Sequence, residues 1–174
     1  MSQTVGKTRL AYARTWHLID IGSDPRSLGR VATSIAQILM GKHKPIFDGS
    51  TDCGDYVVAI DCANLHTTGK KRFQKKYYTH TTRPGSLKEI NMDRLIAKWG
   101  GGEVLRKAVS GMLPKNRLRK ERLARLKTFE GTSHPYQENL IKVRLAGGRS
   151  IVDIPEVRKT LAEAKGKGEA EASS

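Results

Sequence analysis

Trp16-His17-Leu18-Ile19-Asp20-Ile21, the turn Gly22 to Arg26 and the segment from Ser27 to Met40 set the architecture of this chain. The first six residues, aromatic and β-branched in part, read as a short strand. Asp24-Pro25 marks a turn, and Ser27 stands where a helix N-cap belongs. Leu28, Val31, Ala32, Ile35 and Leu39 then recur at helical spacing, with Arg30, Thr33, Ser34 and Gln37 on the opposite face. Gly41 follows as the expected C-terminal cap. After a loop over 42–55, Tyr56-Val57-Val58-Ala59-Ile60 reads as a buried strand, with a short extended piece at 65–68. A strand, a helix and a second hydrophobic strand make a βαβ unit, so an α/β sheet is expected.

Farther along, Met92 to Trp99 reads as a helix stopped by Gly100-Gly101-Gly102, and Val104 to Met112 as another. Pro114 can open one more. From Lys115 to Phe129 the apolar stripe is thin, Leu118, Leu123, Leu126 and Phe129, and basic residues fill the remaining circumference. The tail beyond Ile154 is poor in apolar residues and is expected to be disordered.

Charge narrows the class of partner. The 174 residues carry a net charge of +15, with an apolar share of 37% and an aromatic share of 6%. From Cys62 to Lys88 there are seven Lys or Arg and no acid; from Val104 to Phe129 there are nine against Glu121 alone. Everything else is balanced, with 16 bases and 16 acids. An excess confined to two patches points to one charged binding face and a polyanionic partner. A membrane is the competing polyanion. Val31 to Met40, the longest nearly apolar run, is too short and too polar to span one. Cys53 and Cys62 cannot form a disulfide scaffold. Residues 1–19 lack acids and include Lys7, Arg9 and Arg14, which suits a mitochondrial import signal or a basic arm on RNA.

Two stretches carry the candidate contacts. In the first, Lys70, Lys71, Arg72, Lys75 and Lys76 alternate with Tyr77, Tyr78 and His80. Cations neutralise phosphates, while Tyr and His rings can stack on unpaired bases or pack on the core. This run is read as extended or as loop. In the second, Lys115, Asn116, Arg117, Arg119, Lys120, Arg122 and Arg125 follow Gly111-Met112-Leu113-Pro114, and one acid among so many bases leaves few internal ion pairs. Gly41-Lys42 and Gly69-Lys70 invite a phosphate-loop reading, but Ala36 and Asn64 stand where the required glycine should be. Asp48, Asp52, Asp55 and Asp61, near His43 and the cysteines, lack zinc-ligand spacing; they are read as turn caps and counter-ions rather than as a metal or catalytic site. Gly29 and Gly111 are read as close backbone approaches or backbone adjustments.

The motifs Trp16 to Asp20, Leu28-Gly29-Arg30-Val31-Ala32, Gly41-Lys42-His43-Lys44, Cys53 to Val58, Thr68 to Lys71, Tyr77-Tyr78-Thr79-His80 and Gly111 to Lys115 occur in that order. Together they resemble the L13 family of large-subunit ribosomal proteins over residues 16–130. The resemblance implies a three-layer α/β/α domain around a four-stranded, mainly parallel sheet, with a basic helix and an extended C-terminal tail. It also implies an early-assembling structural protein, not an enzyme, bound to large-subunit rRNA and to neighbouring ribosomal proteins. No cofactor, metal, membrane or small-molecule substrate is expected. Lys42, His43, Lys44, the stretch from Lys70 to Arg83, and the 111–115 segment with its following helix would face RNA. Cys53 where bacterial members usually carry Thr, Asn116 to Lys120 in place of a Gly-Pro-Leu-Gly-like run, the Pro135 to Leu140 stretch and the long tail resemble the mitochondrial, fungal branch. The expected location is therefore the mitochondrial matrix, with the bacterial cytoplasm as the alternative. The organisation expected is a basic arm at 1–15, the RNA-binding domain at 16–130 and an extension at 131–174.

Overall fold

The computed structural model describes residues 13–140, together with the backbone of 142–144. Strand β1 (Trp16–Asp20) leads to helix α1 (Leu28–Met40) and returns to strand β2 (Tyr56–Ile60). The two strands pair in parallel from Trp16↔Tyr56 to Asp20↔Ile60, which makes the expected βαβ unit. In α1, Val31, Ala32, Ile35, Ala36, Ile38, Leu39 and Met40 are buried, so the apolar stripe is wider than the spacing alone announced. Gly41 terminates the helix at φ 83°, and its left-handed turn lets the N–H groups of Gly41 and Lys42 reach the carbonyls of Ile38 and Gln37. A Cβ there would also lie 2.7 Å from the Cys53 carbonyl oxygen. Ser27 is the N-cap, but its hydroxyl makes no capping bond; the Leu28 N–H bonds to the His66 carbonyl instead.

The next segment departs from a plain extended reading. Helix α2 (Lys71–Gln74) is one short turn, followed by an antiparallel hairpin of β3 (Lys76–Thr79) and β4 (Lys88–Asn91), paired from Lys76↔Asn91 to Thr79↔Lys88. Helix α3 (Met92–Trp99) follows directly.

Helix α4 (Gly101–Met112) starts three residues before the expected Val104. Gly101 and Gly102 form its first turn, and the Glu130 carboxylate accepts both their N–H groups, at 3.0 and 2.9 Å. A carboxylate at this position satisfies orphan donors and favours the helix dipole. Side chains are excluded there, because a Cβ on Gly101 would sit 2.0 Å from the Cys62 carbonyl oxygen.

The helix expected over 115–129 is much shorter. Helix α5 covers Arg119–Ala124, and Leu126–Thr128 forms strand β5 in parallel register with β2, Val57↔Leu126. Leu126 is buried against the sheet core. The leucine spacing suited a helix, but partner atoms on β2 override that local pattern.

The central parallel strands run β5-β2-β1, and the backbone of 142–144 (β6) lies parallel to the free side of β1, His17↔Lys142. Val57, Val58 and Ala59 have no exposed surface, as expected for a parallel strand covered on both faces. The main core joins this sheet to α1 and to Leu105, Val109 and Leu113 of the α4 region. Met92, Leu95 and Val104 form a smaller cluster under the hairpin. Trp16 stacks on Tyr56 at 4.3 Å and on Tyr136 at 5.0 Å, so chain beyond residue 130 packs against β1 and β2. No helix among the described residues is long and apolar enough to cross a membrane. Most of the arm at 1–15 and the tail beyond 154 lie outside the described residues.

Candidate nucleic-acid interface

The basic residues divide into those the fold consumes and those it leaves outward. Asp52 accepts from Arg14, Arg122 and Arg125, and Arg125 also donates to the Leu39 carbonyl at 3.2 Å. Arg122 and Arg125 retain only 2% and 5% of their exposure. Both were expected at the RNA surface. Their guanidiniums are instead buried against a carboxylate about seventy residues earlier, a pairing that the local sequence over 115–125 does not reveal. Burial pushes the Asp52 carboxyl up, but Arg125, Arg14 and Arg122 together hold it below the usual carboxylate range.

Asp55, itself fully buried with His17, anchors a second network. Its Oδ2 lies 2.9 Å from both His17 Nε2 and His43 Nε2 and accepts from the Thr15 hydroxyl at 2.7 Å. Its Oδ1 accepts from Lys44 Nζ at 2.6 Å and from the Thr15 N–H at 3.1 Å. Burial opposes ionisation, yet the hydrogen bonds from His17, Lys44 and Thr15 prevail and hold Asp55 far below the ordinary range. His17, His43 and Asp55 bring ligand-type atoms within 4.8 Å of one another, as a metal site would. The Lys44 ammonium already supplies the cation for Asp55, so the arrangement reads as a hydrogen-bonded ion cluster. Lys44 is mostly buried and the His43 side chain is one quarter exposed, so this pair offers RNA much less than Lys42 does.

The remaining candidates stand outward. Lys70, Lys71, Arg72, Lys75 and Lys76 are exposed on and around α2, as are Tyr78, His80 and Arg83 on the hairpin. Tyr77 is half-buried, packs on the Met92 cluster, and has its phenol pushed up by burial. Arg72 pairs with Asp93 at 2.8 Å and Lys76 with Glu89 at 3.2 Å, both at exposed sites. Lys115, Asn116, Arg117 and Lys120 are exposed, whereas Arg119 is half-buried and donates to the Ser110 carbonyl. Among the described residues, Lys42, Lys70, Lys71, Lys75, Arg83, Lys115, Arg117 and Lys120 form no ion pair with a carboxylate.

Lys107 falls in the second basic stretch, outside the run from Lys115 to Arg125. It lies on the same α4 face as Gly111, four residues on, and beside Lys71 and Lys75 in space. The i, i+4 spacing was the available signal.

A match to the family described as ribosomal protein L13 spans residues 14–135, which includes every outward cation named above. The chain belongs to this family. A Neurospora crassa relative named large ribosomal subunit protein uL13m is 60% identical over 166 residues, covering 87% of this chain and 89% of that protein. A Schizosaccharomyces pombe protein of the same name is 46% identical, covering 82% and 89%. The Geobacter sulfurreducens protein named uL13 is 48% identical over 124 residues, covering 71% and 85%. The two fungal alignments therefore cover more of the L13 chain than the bacterial one does.

Proposed function

We propose that this protein is a structural constituent of the large subunit of the mitochondrial ribosome, where it binds and organises large-subunit rRNA and supports translation. It is not an enzyme. Its partners are rRNA and neighbouring ribosomal proteins. The observation that carries the reading is the 60% identity to the fungal uL13m, extending over 87% of the chain, joined to a surface of cations without carboxylate partners. Phosphate contacts supply affinity, and RNA shape supplies specificity.

On this reading Lys42, Lys70, Lys71, Arg72, Lys75, Lys76, Arg83, Lys115, Asn116, Arg117, Arg119 and Lys120 contact RNA, with Tyr78 and His80 beside them. His43 and Lys44 contribute less, through their exposed portions. Residues 16–130 form the RNA-binding domain, 1–15 a basic arm, and 131–174 an extension whose beginning, through Tyr136, is docked on the domain. On the same reading the domain is a three-layer α/β/α unit around a four-stranded sheet, and the parallel pairing of 142–144 with β1 supports the fourth strand.

Sedimentation of the tagged protein from mitochondrial and cytosolic fractions, with and without ribonuclease, tests this. Co-migration with the mitochondrial large subunit, abolished by RNA digestion, is expected. Migration as a free species of 19.3 kDa from both fractions would overturn it.

A further inference from the structure

A cleft of about 510 Å³ opens between the start of α1, the α2 turn and the C-terminal half of α4. Its apolar lining includes Tyr77, Met92 and Met112. Lys71, Lys75 and Lys107 stand at the same opening, and among the described residues no Asp or Glu lines it. Lys71 donates to the Thr68 hydroxyl, Lys75 lies 5.8 Å from the Tyr77 ring centre, and Lys107 is 3.5 Å from Glu103. Two of the three ammonium groups thus face the cleft without a carboxylate.

Gly29 and Gly111 also line this cleft, and both lie inside helices. Neither has the positive φ that favours glycine. A Cβ added at either would meet nothing within 4 Å, whereas one on Gly54 or Gly101 would strike backbone. Glycine weakens a helix relative to alanine, so something should offset its use at these two positions. Among the described residues, neither the backbone conformation nor packing does. A close approach by a partner at the cleft supplies the reason.

We infer that this cleft receives one unpaired nucleotide of the bound rRNA, its base against Tyr77, Met92 and Met112 and its phosphate between Lys71 and Lys75. The chemistry fits each part. An extruded base needs an apolar, partly aromatic floor, and its phosphate needs cations at the rim. Gly29 and Gly111 let the sugar-phosphate chain reach the helix backbones. This inference rests on the RNA-binding reading above and adds the position of one nucleotide.

The test uses the full chain and a transcript of the large-subunit rRNA from the same source. The double variant G29A/G111A should melt at or above the parent temperature, since alanine favours both helices. Its affinity for the transcript should fall roughly tenfold or more at about 0.15 M salt, with the salt slope unchanged. With 4-thiouridine-substituted transcript, irradiation should place adducts at Tyr77 or Met112. Parent-like affinity in the double variant, a melting temperature below the parent, or adducts only around 115–120 would overturn the cleft assignment. In those cases a K115Q/R117Q/K120Q variant that still weakens binding leaves the general RNA reading standing. If the parent itself binds the transcript without salt dependence, that reading fails and the cleft assignment fails with it.

Discussion

Arg125 and Asp52, separated by 73 positions in the chain, meet in a two-pronged ion pair, with Arg125 Nη2 2.6 Å from Asp52 Oδ1 and Nη1 on Oδ2. Arg122 shares the same carboxylate from the neighbouring turn, and its side chain is 2% exposed. Asp52 thereby ties the loop before β2 to the segment that enters β5. Removing one partner strands buried charge, a loss of roughly 3–5 kcal/mol when a buried pair is broken. Asp52→Ala is therefore expected to lower urea-unfolding stability by an amount in that range. A loss below about 1 kcal/mol, typical of exposed pairs, would mean that the three arginines are not held as described.

The outward cations should behave oppositely. Replacing Lys115, Arg117 and Lys120 by Gln leaves the core and both ion networks intact, so the melting temperature should stay within a degree or two of the parent. Binding to an rRNA transcript should weaken, and the slope of log affinity against log salt should fall by about 0.7–0.9 for each phosphate that is no longer neutralised. The contrasting pair Arg122→Gln and Arg125→Gln should lose stability first and binding only as a consequence. Equal loss of folding in both sets would show that 115–120 is structural.

Acid should destabilise the protein through the carboxylates at the centre of its two ion networks, Asp55 and Asp52. The hydrogen bonds and cations around Asp55 and Asp52 hold both folded-state pKa values below the unfolded one, near 3.9. Their contribution is present above that value and disappears as pH falls toward the folded pKa values. Stability should consequently be flat with respect to these groups at neutral pH and decline below about pH 4–5. In Asp55→Asn the acid limb should be shallower, at the expense of lower stability at pH 7. Melts of parent and variant between pH 3 and 7 would test this; parallel curves would remove Asp55 from the account.

Gly101 gives a sharper steric prediction. Its Cβ position is 2.0 Å from the Cys62 carbonyl oxygen, a backbone atom that cannot swing aside. Gly101→Ala should destabilise by roughly 1–3 kcal/mol, as forced overpacking does, despite alanine's higher helix propensity. Glu130→Ala should cost about 1 kcal/mol by removing the cap on Gly101 and Gly102. Chemical denaturation of both variants would measure these effects. A stabilised Gly101→Ala would contradict the close packing of α4 on the turn after β2.

Parts of this structure are local and were legible residue by residue. The 3.6-residue stripe of α1, Gly41 at its end, and the apolar runs of β1 and β2 each depend on neighbours a few positions away, so the βαβ unit could be read directly. The concentration of charge in two segments also lies in the order of residues alone, and by itself it points to a polyanion. Other outcomes depend on distant atoms. Leu126 sits at helical spacing after Leu123, but Val57 of β2 takes it as a strand partner. Gly100 stops α3 at Trp99 as its sequence suggests, but Glu130, far along the chain, supplies the cap that lets α4 begin at Gly101.

Arg122 and Lys120 make the division plain. Composition places both in one basic run with a single acid, and nothing in that run separates them. Folding brings Asp52 to Arg122 and leaves Lys120 in water. Burying a guanidinium is strongly unfavourable without a partner, so the position of one carboxylate some seventy residues away settles which cation belongs to the core. The number and sign of the charges were written in the chain; their division between interior and surface came from long-range contact, because electrostatic energy depends on distance in space and on solvent exposure rather than on order along the chain.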